Sequence, residues 1–340
     1  MAMLWFCLAT AMLIGYVLLD GFDLGAGVVQ LLVARSEREK AQVLRAIGPV
    51  WDGNEVWLVA AAGALFLAFP ALYASSFSGF YLALMMVLWL LILRGIAIEF
   101  RNHIDNPLWK PAWDTVFGGA SAVLAFVFGV ALGNVVRGVP LDAHGYFFLP
   151  LWTNLVPGAH AGVIDWYTLL VGATASVALA VHGSLWVVMK TAGTLQEGTR
   201  ALSAKLWRGL LALTLVLSPL SFAVQPHLWK QFTSHPWGVV FPGLALTGLA
   251  GLRRLSARQQ DRGAFLASGL YLAGMLASAA FGVFPNVLPS NTTPDLSLTI
   301  SNAAAAEHGL VVGLWWFIPG MVLATAYAVV TYRHFAGKID

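Results

Sequence analysis

The sequence predicts an all-α polytopic membrane protein, and three observations lead to that fold class. Of the 340 residues, 59% are hydrophobic and only 10% are charged, and the mean hydropathy is strongly positive, unlike soluble domains. The apolar residues form stretches of the length that an α-helix needs to cross a bilayer, roughly 20 residues. The charged residues stand mainly between these stretches. We therefore expect a single integral membrane domain over residues 1–340.

Nine apolar stretches are expected to form spanning helices. They cover residues 2–33, 48–69, 75–98, 113–136, 162–190, 201–224, 237–252, 263–285 and 306–332. The first stretch lacks the charged start and the cleavage site of a signal peptide, so we expect it to remain in the mature chain. The two longer connections, 137–161 and 286–305, are rich in Pro, Asn, Ser or Thr. That composition is typical of loops, here expected to be ordered over the outer face.

The basic residues predict the orientation of these helices. All but two of the 19 basic residues lie at or near every second connection or in the C-terminal tail: Arg35, Arg38, Lys40, Arg45, Arg94, Arg101, Lys110, Lys190, Arg200, Lys205, Arg208, Arg253, Arg254, Arg258, Arg262, Arg333 and Lys338. Because basic connections stay in the cytoplasm, we expect the N-terminus outside and the C-terminus cytoplasmic. This distribution accounts for the net charge of +3 without a nucleic-acid partner.

Charged side chains are expected to meet at one depth near the cytoplasmic face. The first helix carries two acids late in its course, the second begins with two more, and the third returns to the same level. These residues are Asp20, Asp23, Asp52, Glu55, Arg94, Glu99 and Arg101. Residues three apart share a helix face, so Asp20 and Asp23 project together, as do Asp52 and Glu55.

This cluster has two interpretations. A carboxylate inside a span costs several kcal/mol unless it is neutral, paired or hydrated, and such groups usually face the bundle interior. The set therefore favours a proton relay open to the cytoplasm. For any single acid a structural role stays open, because acids in the first turns of a helix complement its dipole, and Asp20 or Asp23 could simply pair with Arg94.

Other residue types exclude several kinds of chemistry. Cys7 is the only cysteine, which excludes an internal disulfide and a thiolate metal site. Only His182 lies well inside a predicted span, so the chain offers no bis-His haem site, and Glu307 with His308 is interpreted as a cap at the outer end of the last helix. The spacing of Gly21 and Gly25 allows the first helix to approach a neighbour closely.

Several longer motifs resemble a known family. They are LLDGFDLGAG in the first helix, GPVWDGNEVWLVAAAGALFLAFPALYASSFSGFY across the second and third, LRGIAIEFR after them, and VFPNVLPSNTTPDLSLTISNAA before the last. Together they resemble subunit II of the cytochrome bd-type quinol oxidases. The resemblance runs through nearly the whole chain, and the WDGNEVWL element is highly specific.

The resemblance implies a haem-free subunit of two four-helix bundles plus one additional helix. Its partner, subunit I, would hold two b haems, haem d and the quinol site. The complex would lie in the bacterial cytoplasmic (inner) membrane, oxidise ubiquinol or menaquinol, and reduce dioxygen to water with cytoplasmic protons, so forming a proton gradient. A small single-helix accessory subunit, and bound lipid or quinone, stay open.

The resemblance also implies roles for individual residues. Asp52 matches the acid at the entrance of a cytoplasmic proton path, and Trp57 matches a tryptophan associated with a hydrophobic oxygen route. Asp20 and Asp23 match the acids of the first-helix motif, whereas Glu55 stands where many relatives have Gln. Two alternatives stay open: a proton-coupled secondary transporter, which would need a substrate cavity near the midplane, and a purely structural scaffold subunit.

Overall fold

The computed structural model describes residues 1–339, and within them most of the chain is helical. The helices are α1 (Ala2–Leu32), α2 (Glu37–Ile47), α3 (Trp51–Ala68), α4 (Pro70–Gly79), α5 (Tyr81–Phe100), α6 (Trp109–Arg137), α7 (Trp166–Lys190), α8 (Gly193–Val224), α9 (Pro226–Ser234), α10 (Val240–Ala257), α11 (Asp261–Val283) and α12 (Glu307–His334). Two short 3₁₀ helices cover Pro236–Val239 and Pro294–Leu296. The strands β1 (Asn286–Leu288) and β2 (Leu298–Thr299) pair antiparallel.

Seven of these helices are long and apolar enough to cross a membrane, namely α1, α5, α6, α7, α8, α11 and α12. The expected count of nine is therefore not confirmed. The stretches predicted at 48–69 and 237–252 correspond to α3 and α10, which have only 18 residues each. Such a helix is about 27 Å long. Polar residues occupy the start of α3 and the end of α10, which shortens their apolar part.

The boundaries of the third predicted span, 75–98, are wrong. Pro70 starts a separate helix, α4, and α5 begins only at Tyr81. Proline fits the first turn of a helix but cannot continue the hydrogen bonding of the one before it. The chain therefore turns at Phe69 and again at Phe80, between the long helices.

The long helices run between two ends of the bundle, which we call the α2 end and the ladder end after the elements found there. α1 is the central helix and packs against α3, α6 and α7. α5 packs on α6, α7 packs on α8 and α11, and α10 packs on α11. α12 contacts α3 and buries only Leu310 and Gly313, so most of its surface faces outward.

Glycines set the close approach of α1 to α7. A Cβ at Gly25 would collide with the backbone of Leu179 and Gly183, and a Cβ at Gly183 would collide with the backbone of Gly25. The close contact expected from the spacing of Gly21 and Gly25 is therefore confirmed, and its partner is α7. This contact joins the first half of the chain to the second.

At the α2 end, the basic connection after α1 forms an amphipathic helix. Ser36 caps α2, and the Glu39 side chain bonds back to the Ser36 backbone, so the two residues form a capping box. The apolar face, which includes Val43, Leu44 and Ile47, is buried. The remaining face of α2 carries charges towards the ends of α5 and α6.

At the ladder end, the two long loops cover the helices. The Asn291 amide donates to the Val139 carbonyl between these loops, and the Val139 amide donates to the Pro289 carbonyl. The guanidinium of Arg137 is buried and bonds the carboxylate of Asp165, the N-cap of α7. The loops expected over one face are thus ordered parts of the fold.

Candidate functional site

A buried ion pair lies at the centre of the charged cluster. Both guanidinium amino groups of Arg94 on α5 donate to the carboxylate of Asp20 on α1, with Nη1 at 2.9 Å from Oδ2. Neither side chain is exposed to solvent (0% for both). A two-point arginine–carboxylate pair is directional as well as charged, so it locks α5 to α1 at this level.

The second acid of α1 is held by a neutral side chain rather than by a cation. Asn54 on α3 donates through Nδ2 to Asp23 at 2.8 Å and to the carbonyl of Leu19 at 3.2 Å. The hydroxyl of Tyr332 on α12 donates to Oδ1 of the same asparagine at 2.7 Å. Asn54 therefore links α1, α3 and α12 in one buried network beside the ion pair formed by Arg94.

The two acids of α3 lie between this network and the surface. Asp52 is exposed and lines a cleft of about 240 Å³ between α3 and α12, together with Trp57, Tyr327 and Tyr332. Glu55, one turn further along, is half-buried and lies within electrostatic range of Arg94, Asp20 and Asp52. Burial of the acids thus increases from the exposed Asp52 to the half-buried Glu55, and Asp20 and Asp23 on α1 are fully buried.

Three buried polar atoms in this region have no hydrogen-bond partner within residues 1–339. They are the hydroxyl of Tyr16, Oδ1 of Asp23 and Nε of Arg94. Most buried polar atoms in proteins find a partner, protein or water. These three can therefore accept or donate further hydrogen bonds to a small polar molecule.

A second charged network lies at the α2 end. Arg101 donates through Nε to Asp114 on α6 at 2.6 Å and through Nη2 to Glu37 on α2 at 2.8 Å. Lys40 approaches Asp114 to 3.3 Å, and Gln30 on α1 donates to the same carboxylate at 2.7 Å. This network ties α2 to three long helices, which is a structural role.

One expected ion-pair residue does not take part. Glu99 is exposed and forms no ion pair among the described residues. The physical reason is rotation about the axis of α5. Arg101, seven residues after Arg94, returns to nearly the same face of the helix, whereas Glu99 points about 140° away from Arg94. The expectation that Glu99 supports the cluster is therefore corrected.

The interior histidine is fully engaged in packing. One ring nitrogen of His182 lies 2.7 Å from the hydroxyl of Ser268 and the other lies 3.0 Å from the carbonyl of Leu18. Its ring stacks on Phe265, with 4.6 Å between the centroids. Within residues 1–339, no three His, Cys, Asp or Glu side chains are grouped to hold a metal ion.

Trp57 packs on α1 beside the cluster. Its ring lies against Gly15, where an added Cβ would come within 3.1 Å of it. The same ring lines the cleft that Asp52 opens into. Trp57 is thus placed between α1 at Gly15 and the cleft between α3 and α12.

Sequence reasoning missed several members of these networks. Asn54 stands between Asp52 and Glu55, and its polar side chain inside an apolar run was the available signal. Asp114 could have been found as an acid in the first turns of a long apolar helix. For Tyr332 no local signal exists, because it meets Asn54 across 278 residues of sequence.

Comparison with known families gives a match over nearly the whole chain. The family model described as cytochrome bd terminal oxidase subunit II matches residues 1–335. The "Probable cytochrome oxidase subunit 2" of Haemophilus influenzae is 33% identical, over 99% of this chain and 94% of that protein. The "Cytochrome bd ubiquinol oxidase subunit 2" of Bacillus subtilis is 32% identical, over 91% and 88%. The "Cytochrome bd-I ubiquinol oxidase subunit 2" of Escherichia coli K12 is 30% identical, over 99% and 94%.

A solved structure shares the fold. A chain of the bd oxidase from Geobacillus thermodenitrificans superposes with a TM-score of 0.74 over 98% of both chains, at 17% sequence identity. At that identity the likeness concerns the fold alone.

Proposed function

The chain belongs to the cytochrome bd terminal oxidase subunit II family, and from that premise we propose that it carries protons towards the oxygen-reducing centre of its complex while binding no haem itself. As a member of this family it is part of a quinol oxidase in a membrane. In the proposed division of work, subunit I holds two b haems, haem d and the quinol site. Subunit II supports it and contributes the cytoplasmic proton path.

The proposed orientation puts the α2 end in the cytoplasm. The connections at that end carry nearly all of the basic residues, as the positive-inside rule requires. We include α3 and α10 among the spans, which gives nine helices in two four-helix bundles plus α12, in the inner membrane of a bacterium. The packing of α1, α3, α5 and α6, and of α7, α8, α10 and α11, supports that grouping.

The observation that carries the proton path is the gradation of carboxylates from the surface to the interior. Asp52 lies in an open cleft, Glu55 is half-buried, and Asp20 and Asp23 are fully buried. A proton taken up at Asp52 would pass to Glu55 and then to Asp23 on α1, beside the ion pair of Asp20. The hydroxyl of Tyr16 and Oδ1 of Asp23, which have no hydrogen-bond partner within residues 1–339, supply positions that a water-mediated relay needs.

The arrangement of charge explains how such a relay is held in place. Arg94 offsets the charge of Asp20, so that acid stays anchored. Asp23 is bonded only to a neutral amide among the described residues, so it gains or loses a proton without breaking an ion pair. Within the proposed path, Asp23 is therefore the buried carrier and Asp20 the fixed counter-charge.

The proposal of a haem-free subunit rests on the histidines. Both ring nitrogens of His182 already have hydrogen-bond partners, whereas an axial ligand needs one nitrogen free for iron. The haems then belong to subunit I, with ubiquinol or menaquinol as the substrate of the complex. A small accessory subunit, membrane lipid and quinone are further proposed partners.

Trp57 is proposed to border an oxygen route. Dioxygen is apolar and moves through apolar parts of a protein. The ring of Trp57 packs against Gly15 on α1 and also lines the cleft between α3 and α12. This position supports a role for Trp57 in lining an apolar path from that cleft.

A purely structural scaffold is the second candidate, and the Arg94–Asp20 pair favours it. A buried pair of this kind serves helix packing as readily as chemistry. A secondary transporter has less support, because the acids lie towards one end of the bundle rather than around a central cavity.

The first experiment is to purify a tagged copy of the full chain from its native membrane, and to record the reduced visible spectrum and the accompanying subunits. We expect b-type and d-type haem bands together with a larger membrane subunit. A colourless protein without a partner would rule out the oxidase role. The proton path is tested separately by the Asp52 variant described in the Discussion.

A further inference from the structure

A groove at the α2 end brings together basic residues from three helices. It has a volume of about 870 Å³ and lies between the end of α7, the start of α11 and the end of α12. We call it the basic groove and define it by Lys190, Arg262, Arg333, Lys338, Trp186 and Met189. The residues are far apart in sequence, so their convergence is a property of the tertiary structure.

The groove has an excess of positive charge. Within residues 1–339, its four cationic side chains face one acid, Asp261. That acid is already bound by the guanidinium of Arg200, at 2.7 and 3.2 Å. Among the described residues, the rim cations Arg262, Arg333 and Lys338 have no ion-pair partner, so an added anion could bind to them.

Lys190 is the innermost of these cations. It is only 7% exposed, its Nζ donates to the carbonyl of Phe335, and it lies 5.1 Å from the ring centroid of Trp186. The last described residues fold over it, since the Ile339 amide donates to the Lys190 carbonyl at 2.8 Å. The ammonium group is thus held in place, and an ammonium has three donors.

Part of the remaining lining is apolar. Trp186, Met189 and Val329 contribute side chains to the same groove, and they stand at the ends of helices long enough to span a membrane. A free phosphate ion would use only the basic rim, whereas an amphiphile would use both the rim and the apolar wall. Basic pockets between spanning helices near the membrane surface are known to bind anionic lipid headgroups.

We propose that the basic groove binds the phosphate of an anionic phospholipid, with the glycerol and upper acyl chain against Trp186, Met189 and Val329. Arg262, Arg333 and Lys338 contact the phosphate from the rim, and Lys190 sets the floor. The lipid would bridge α7, α11 and α12. Since α12 is otherwise loosely packed, such a bridge would stabilise its attachment to the second half of the chain.

The test is a lipid titration of the full chain, purified with the subunits that accompany it and stripped of lipid by detergent washing. Native mass spectrometry would follow binding of dioleoyl phosphatidylglycerol, dioleoyl phosphatidylcholine and inorganic phosphate. The groove variant is R262Q/R333Q/K338Q. The matched control is K205Q/R254Q/R258Q, which removes the same charge at the same end from exposed residues outside the groove.

We expect the groove variant to lower the affinity for phosphatidylglycerol at least about tenfold and the control less than about twofold. Equal losses in the two variants would overturn the proposal, because binding would then follow general charge. Equal affinity for phosphatidylcholine would overturn it too, and binding of inorganic phosphate without the lipid would overturn the lipid assignment.

If the triple variant does not fold, Arg333→Gln is compared with Arg254→Gln. Since lipid binding is measured without turnover, the result is independent of the oxidase role.

Discussion

Arg94 on α5 and Asp20 on α1 form an ion pair in which neither side chain is exposed to solvent. Around it lie one acid held by an asparagine, Asp23, and one half-buried acid, Glu55. The pair is therefore both the fixed charge of the cluster and a connection between two long helices. Variants that remove one or both charges of this pair therefore test how much it contributes to the stability of the fold.

Arg94→Gln should destabilise the chain strongly. The substitution leaves Asp20 as an uncompensated buried charge, and breaking a buried pair in this way costs roughly 3–5 kcal/mol. The double variant D20N/R94Q removes both charges and should be milder. Thermal unfolding followed by tryptophan fluorescence compares the two, and equal midpoints would contradict the coupling of Arg94 to Asp20.

Asp52→Asn should slow turnover of the complex at least about tenfold, as expected when a proton-transfer group is lost. The haem content of the purified complex should stay near that of the unaltered complex. Asp52 is exposed and makes no hydrogen bond or ion pair among the described residues, so its replacement should not disturb folding. Asp52→Glu should be milder. Oxygen consumption and the reduced haem spectrum are the measurements.

The control for that prediction is Glu99→Gln. Glu99 is an exposed acid near the same end and makes no ion pair within residues 1–339, so it should keep full turnover. A loss of haem-bearing complex in Asp52→Asn, rather than slower turnover, would favour the scaffold role.

Gly25→Ala should prevent α1 and α7 from packing. The added methyl group would collide with the backbone of Leu179 and Gly183, and overpacking of this kind costs roughly 1–3 kcal/mol or more. At Gly119 on α6 a Cβ meets nothing within 4 Å, so Gly119→Ala is the matched control. The yield of folded protein, measured by size-exclusion chromatography, should fall for Gly25→Ala and not for Gly119→Ala. Similar yields for both would argue against the close contact.

The start of α2 should loosen at acidic pH. The pKa of Glu39 lies below its usual value of 4.5, because its carboxylate accepts hydrogen bonds from the backbone amides of Arg35 and Ser36 and from the hydroxyl of Thr194. A lowered pKa means that this stabilisation is complete above pH 4.5 and is lost as the pH falls through the folded-state value. Hydrogen exchange of residues 34–47, corrected for intrinsic rates, would follow the loss.

Glu39→Gln is the comparison for the acid transition. The amide cannot titrate, so exchange in the same segment should lack the acid-dependent step while α2 is weaker throughout. An identical acid transition in both proteins would show that another group controls this cap.

Much of the candidate site could be predicted from the order of residues along the chain. An α-helix advances about 1.5 Å per residue, so the position of an acid in an apolar stretch sets its depth, and Asp20, Asp23, Asp52 and Glu55 could be assigned to one level. Asn54 could have been added from the same stretch. Glu99 could have been left out by its rotation relative to Arg94 and Arg101.

The sequence by itself determined the helical fold class, most helix positions and the end of the bundle that collects positive charge, because hydropathy and charge are read along one dimension. Only the tertiary structure decided that Asp20 meets Arg94, that Asp23 meets Asn54, and that Asp52 stays in an open cleft. These outcomes depend on the rotation of each helix about its axis and on its neighbours. Both are set by contacts between distant segments, such as Gly25 against Gly183, which no local pattern encodes.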